Sequence, residues 1–134
     1  RMTQLPTATG AFGEKPTLTF PDTAPPSELQ VAVLAEGTGA PVKAGDTIVV
    51  NYFGQTWGGA VFDTSYDRGE TISFPIGMGV VIAGWDEGLV GQPIGSRVML
   101  SVPPAKGYGA RGVPQAGIGG SDTLVFVVDV VGVE

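Results

Sequence analysis

The sequence predicts an α+β domain, with one short helix set against a sheet of strands and turns. Three observations lead there. Residues 80–89, Val-Val-Ile-Ala-Gly-Trp-Asp-Glu-Gly-Leu, put Val81, Ile82, Trp85 and Leu89 on one helical face. The other apolar runs alternate or are β-branched, as strands are. The 22 glycines and 11 prolines punctuate those runs as turns. The helix cannot stand alone. Gly84 and Gly88 each cost it about 1 kcal/mol relative to alanine, and so short a segment does not hold as a free helix. It needs a sheet to cover, and Trp85 points into that contact with an indole N–H that wants a partner. From the pattern, Trp85 is either a core anchor or the floor of an apolar pocket.

Composition excludes several classes. A chain of 134 residues makes one domain with a real core. Seven basic residues against thirteen acidic ones give a net charge of −6, which argues against nucleic acid and against an anionic membrane surface. No apolar run approaches the ~18 residues of a membrane span. Without cysteine there is no disulfide and no thiolate chemistry. Without histidine there is no Ser-His or Cys-His pair, and the usual general base and metal ligand are missing.

Residues 1–12 have no periodicity and read as a mobile arm, without Met at position 1 and without a signal-peptide core. Residues 17–20 are a short strand candidate. Pro21, Pro25 and Pro26 then favour an extended segment at a sheet edge. Residues 29–34 alternate as a half-buried strand. After turns at residues 37–39 and 43–46, the β-branched and aromatic run 47–54 is the strongest strand. Residues 57–59 turn it back into a strand at 60–62. Residues 63–70 read as a polar loop, and 71–76 as a strand with Ile72, Phe74 and Ile76 on one face. Beyond the helix, residues 97–102 form a strand with Val98, Leu100 and Val102 on one face, ended by Pro103 and Pro104. Residues 105–121 are a glycine-rich loop, long enough to be functional. Residues 124–131 are nearly continuously apolar and suit a central strand.

The catalytic chemistries fail in turn. Asp63 and Asp67 read as solvated turn residues, and Asp86 and Glu87 as the wet side of the helix. No Lys-Ser/Thr follows the glycines around Tyr108 as a phosphate loop requires, and no calcium-loop spacing is present. What remains is a scatter of aromatics: Tyr52, Phe62, Phe74, Trp85, Tyr108 and Phe126. Phe74 reads as ordinary core. Tyr52 and Tyr108 carry hydroxyls that must reach water or a partner. Such residues suit an apolar pocket with a few polar groups.

The order of short motifs is specific. Tyr52-Phe53-Gly54 is followed by Gly59-x-x-Phe62-Asp63-Thr64-Ser65, then Phe74-x-Ile76-Gly77. Val81-Ile82-x-Gly84-Trp85-Asp86-Glu87-Gly88-Leu89 comes next, then Gly107-Tyr108-Gly109 and Thr123-Leu124-Val125-Phe126. This series resembles the FKBP-type peptidyl-prolyl cis–trans isomerases, from about residue 29 to 134. The resemblance implies a twisted antiparallel sheet of about five strands wrapped around one short helix; the reading of the residues adds 1–28 as an arm partly extended along a sheet edge. The resemblance implies rotation about X–Pro bonds in proteins, with Asp63, Tyr108, Trp85 and the backbone of Ile82 as catalytic groups. Tyr52, Phe62, Arg68, Val81, Ile118 and Phe126 would line the substrate site. Implied partners are proline-containing polypeptides and macrolides such as FK506 or rapamycin. No metal, cofactor, nucleic acid or membrane span is implied, and a monomer is expected. Three positions depart from the family pattern: Ile72 replaces an aromatic, Val80 replaces Gln or Glu, and Ile118-Gly119-Gly120 replaces Ile-Pro-Pro, which would soften that rim. The segment from Phe12 to Pro26 resembles arms of secreted or envelope-attached members from high-GC Gram-positive bacteria, and similar arms occur on cytoplasmic ones; the envelope or secretion is slightly favoured over the cytoplasm. A proline-binding clamp with little turnover and a plain structural β-domain are the competing readings. For Asp63, burial would raise the pKa and Arg68 would lower it.

Overall fold

The computed structural model describes residues 4–134; residues 1–3 of the expected arm lie outside it. Strands β1 (Thr7–Ala8) and β2 (Leu18–Thr19) form an antiparallel pair of their own. The main sheet contains β3 (Gln30–Ala35), β4 (Thr47–Thr56), β5 (Val61–Thr64), β6 (Ile72–Pro75), β7 (Arg97–Val102) and β8 (Leu124–Val133). Its order is β3-β7-β8-β4-β5, with β6 also on β4, and every pairing is antiparallel. The half of β4 from Thr47 to Val50 pairs with β6, and the half from Phe53 to Gln55 pairs with β5. Six strands thus occupy five positions, in keeping with the expected antiparallel sheet of about five strands. The nearly continuous apolar run became β8, which lies between β7 and β4.

Helix α1 (Ala83–Leu89) packs against β7. Its two glycines, unfavourable for an isolated helix, are explained by that approach. A Cβ on Gly84 would meet Val102 Cγ1 at 2.8 Å, and one on Gly88 would meet Leu100 Cδ2 at 2.5 Å. The absence of side chains lets the helix backbone sit close to the strand and brings Trp85 and Leu89 into the core. That core holds Ile48, Val50, Tyr52, Val98, Leu100, Phe126 and Val128.

The opposite face of the sheet is also dry, which corrects the expected position of the arm. Residues 4–20 do not extend an edge of the main sheet. The β1–β2 pair folds over its back, where Leu5, Ala8, Leu18 and Phe20 pack with Phe53, Trp57, Met99, Val125 and Val127. The physical reason is the alternation itself. In β7 and β8 the residues between those facing the helix are Met99, Val125 and Val127, so a second apolar face demanded a cover. All six residues of β7 are buried. The polar loop expected at residues 63–70 is shorter than expected: Asp63 belongs to β5, and Ser65–Arg68 is one 3₁₀ turn. The loop after β7 is built from three 3₁₀ turns, Pro104–Lys106, Gly109–Arg111 and Pro114–Ala116.

Gly84→Ala tests the close approach. Helix propensity alone would stabilise the protein by about 1 kcal/mol. The neighbour is a β-branched, stiff Val102, so overpacking by about 1–3 kcal/mol should win. A lower urea midpoint is expected; a raised midpoint would show that the helix stands off the strand.

Candidate functional site

A cavity of about 360 Å³ opens where the helix, β4, β5, β6 and the long loop meet. Trp85 lies at its base, 5% exposed. Three rings surround it: Tyr52 at 5.4 Å and Phe126 at 5.3 Å, both edge-on, and Phe74 at 5.0 Å and tilted. Such edge-to-face contacts add about 0.5–1.5 kcal/mol each beyond area burial. Phe62 stands edge-on to Phe126 at 5.6 Å. Gly54 makes that pair possible, since a Cβ there would meet Phe62 Cζ at 2.8 Å and Phe126 Cε1 at 3.1 Å. The indole Nε1 of Trp85 has no hydrogen-bond partner among the described residues.

One wall carries charge. The Tyr52 hydroxyl donates to Asp63 Oδ2, Arg68 Nη1 donates to Asp63 Oδ1 at 2.7 Å, and Arg68 Nη2 donates to the Tyr52 hydroxyl at 3.3 Å. The guanidinium also lies 5.8 Å from the Tyr52 ring centroid. Burial pushes the Asp63 carboxyl up, but the hydrogen bonds from Tyr52 and Arg68 and the Arg68 charge outweigh it and hold the pKa below 3.8. The competition left open by the sequence is thereby decided. Burial and the Asp63 carboxylate push the pKa values of Tyr52 and Tyr108 up from the ordinary tyrosine value, so both hydroxyls remain donors at neutral pH.

The opposite lip is backbone. Residues 77–82 lead into the helix, and Asp86 ties them down by accepting from Gly77 N at 2.7 Å and Gly79 N at 2.9 Å. Asp86 is thus an anchor for this lip, not the solvated residue expected. Ile82 caps the helix, and its carbonyl accepts from the Trp85 and Asp86 amides. Its own N–H has no acceptor among the described residues. Tyr108, 43% exposed, lines the same cavity, with its hydroxyl unpartnered in the same sense. Ile118 closes the rim, paired through both backbone bonds with Val113. The rim expected to be soft is braced: Gly119 N donates to Asp122 Oδ2 at 2.6 Å, a bond proline could not make. Gly120 lies against the Ala110 carbonyl, where a Cβ would come to 2.0 Å.

Of the residues singled out from the sequence, Tyr52, Phe62, Asp63, Val81, Ile82, Trp85, Tyr108, Ile118 and Phe126 line this cavity. Arg68 does not, and reaches it only through Asp63 and Tyr52. Phe74, read as plain core, also lines the wall, as do Ile72, Val80, Val113 and Ala116. Phe74 could have been found from its place on the Ile72–Ile76 face, whereas Val113 and Ala116 sit in a loop without periodicity. Among the described residues there is no cluster able to hold a metal ion.

A family model described as FKBP-type peptidyl-prolyl cis-trans isomerase matches residues 39–131. The chain is 40% identical over 121 residues to an FK506-binding protein of Streptomyces anulatus, spanning 90% of this chain and 98% of that one. It is 43% identical over 107 residues to FK506-binding protein 1A of Neurospora crassa, spanning 79% and 88%. The crystal structure of AtFKBP13 superposes with a TM-score of 0.74 at 33% identity, covering 82% of this chain and 96% of that one.

Two substitutions separate wall from chemistry. Phe126→Ala should cost about 3–5 kcal/mol of stability together with ligand affinity. Tyr108→Phe removes one hydroxyl and little volume, so its melting temperature should stay near native while affinity or rate falls. A Tyr108→Phe protein that unfolds easily yet is fully active when folded would exclude the hydroxyl from the site.

Proposed function

The chain belongs to the FKBP-type peptidyl-prolyl cis-trans isomerase family, and from that premise we propose how its cavity turns an X–Pro bond. The chemistry is rotation about a peptide bond whose barrier is about 18–20 kcal/mol. No bond breaks. The planar amide is stabilised by charge separation between oxygen and nitrogen, and twisting it makes the group less polar. A dry aromatic cavity therefore favours the twisted amide over the planar one. Each tenfold of rate needs about 1.4 kcal/mol.

The proline ring sits on Trp85, between Tyr52, Phe62 and Phe126, with Val81 and Ile118 closing over it. Its carbonyl accepts from the Ile82 N–H, and the Tyr108 hydroxyl is a second donor. The free state of both donors supports these roles. Asp63, held ionised by Arg68 and Tyr52, orients the wall and lies beside the rotating amide. The single observation that carries the reading is the ring cage on Trp85, an apolar floor in a cavity that Ile82 and Tyr108 also line with donors unpaired among the described residues. Macrolides of the FK506 type would occupy the same cavity, as the names of the relatives suggest, and rapamycin is expected to compete for it.

Residues 29–134 form the isomerase domain, and the described residues before it, 4–28, are an accessory segment of the same folded unit. A bacterial, actinobacterial-like origin is supported by the Streptomyces relative, and placement in the envelope or outside the cell by the arm's resemblance to attached members. The protein acts as a monomer. No helix among the described residues is long and apolar enough to cross a membrane.

Cis-to-trans kinetics of a proline peptide, with and without rapamycin, test the mechanism. Turnover abolished by the drug is expected; tight drug binding without turnover would favour a clamp. The pH profile gives a second test. Asp63 has a depressed pKa, so it is ionised through the neutral range, and what its pairing adds to stability is present above the unfolded carboxylate value and lost as pH falls through the lower folded one. With both tyrosines protonated, kcat/KM should be flat from about pH 6 to about pH 9. Asp63→Asn should keep much of the activity. A bell centred near neutrality that disappears with nearly all activity in Asp63→Asn would make Asp63 a proton-transfer group.

A further inference from the structure

The back of the molecule reaches the cavity through one short turn. Arg97 and Asp129 face each other across β7 and β8, each about 1% exposed. Arg97 Nε lies 3.3 Å from Asp129 Oδ1, an ion pair whose geometry falls short of a hydrogen bond. Their other polar atoms are satisfied by the N-terminal segment. Arg97 Nη1 donates to the Ala11 carbonyl, Arg97 Nη2 donates to the Glu14 carbonyl at 2.7 Å, and Gly13 N donates to Asp129 Oδ2 at 2.8 Å. That same Oδ2 accepts from the hydroxyl of Tyr66.

Tyr66 is the second residue of the 3₁₀ turn Ser65–Arg68. The third, Asp67, accepts from Lys15 Nζ at 2.7 Å, an exposed pair (49% and 61%) and so the weaker of the two ties. The fourth is Arg68, whose guanidinium holds Asp63. The start of the turn is pinned independently to β4, since Ser65 Oγ accepts from Tyr52 N at 2.8 Å and donates to Asn51 Oδ1 at 3.0 Å. Beyond Ser65, the long-range ties run from Tyr66 to Asp129 of β8, whose Oδ2 also accepts from Gly13 N, and from Asp67 directly to Lys15. The Arg68 and Asp63 side chains are 44% and 42% exposed, and an exposed pair of this kind is held weakly by its own attraction. Where the Arg68 backbone sits then decides how well the fork meets the carboxylate.

We propose that residues 11–15, acting through Tyr66 and Asp67, are positioning groups for Arg68 and so set how firmly Asp63 is held in the cavity. The N-terminal segment is therefore part of the site's support as well as a cover for the sheet. The proposal rests on the reading of Asp63 as a group of the isomerase cavity. The groups facing Asp63 are Tyr52 from β4, Arg68 from the turn and Tyr108 from the long loop; those facing Asp129 are Arg97 and Tyr66.

The test uses the full chain with Tyr66→Phe, Lys15→Met and their combination, and Lys15→Arg as the conservative rescue. Leu18→Ala is the control: it loosens the packing of the same segment on the sheet without removing any of these hydrogen bonds. The readouts are the Asp63 carboxyl titration by carbon NMR, and kcat and KM separately. The combined variant should move the Asp63 titration up by about half a pH unit and lower kcat/KM about threefold. Lys15→Met, at an exposed site where folding is not at risk, should show a smaller shift in the same direction, and Lys15→Arg should reverse it. Leu18→Ala should lower the melting temperature and leave the titration in place. A native titration in both folded single variants, or an equal shift in Leu18→Ala, would overturn the proposal. The carboxyl titration is independent of turnover, so a native chain without isomerase activity would defeat the mechanism while the positioning remained measurable.

Discussion

The contact of helix α1 with strand β7 governs the rest of the molecule. Gly84 and Gly88 remove the two side chains that would hold the helix away from Val102 and Leu100. The close approach sets Trp85 among Tyr52, Phe74 and Phe126 at centroid distances of 5.0–5.4 Å. The same contact closes the core on one side and forms the floor of a cavity on the other. A helix built for intrinsic stability would carry alanines there, would stand further off, and would leave the rings without a common centre. Local weakness in the helix is thus a condition of the site.

The cavity combines an apolar floor with a charged wall, and the two do not conflict because the charge is neutralised within the wall. Asp63 is paired with Arg68 and bonded to Tyr52, so a carboxylate can border an aromatic cage without being driven to its neutral form. Rotation of an amide needs such a setting more than it needs a proton donor. The absence of histidine and cysteine, which excludes most side-chain chemistry at neutral pH, leaves this one untouched.

A sheet apolar on both faces requires two covers. The helix is one, and the hairpin of β1 and β2 is the other. On the back face a charged pair interrupts the apolar surface. Burying Arg97 and Asp129 costs desolvation, and the pair is tolerable only with most of its polar atoms hydrogen-bonded. The carbonyls of Ala11 and Glu14, the amide of Gly13 and the hydroxyl of Tyr66 satisfy Arg97 Nη1 and Nη2 and Asp129 Oδ2, and Nε and Oδ1 meet only as an ion pair at 3.3 Å. This gives the N-terminal segment a defined seat where apolar contact alone would allow it to slide.

The sequence by itself determined the strands of the main sheet, the position of the helix and most of the cavity lining, but not strand β1, which lies in residues read as a mobile arm. Period-two alternation, β-branched runs and the aromatic motifs are local signals, and they survive in the chain without a structure. Even the central place of β8 could be read, because a strand buried on both faces is apolar throughout. What only the tertiary structure decided was what lies opposite what. Arg97 looks like the polar start of a strand until Asp129 is found across from it, 32 positions later in the chain. Asp86 looks solvated until residues 77–79 fold back onto it. Residues 4–20 carry too little periodicity to announce that they cover a sheet, and the direction of the Asp63 pKa depended on the distance to Arg68. Pairing, burial and charge are properties of separations in space, and a sequence records separations only along the chain.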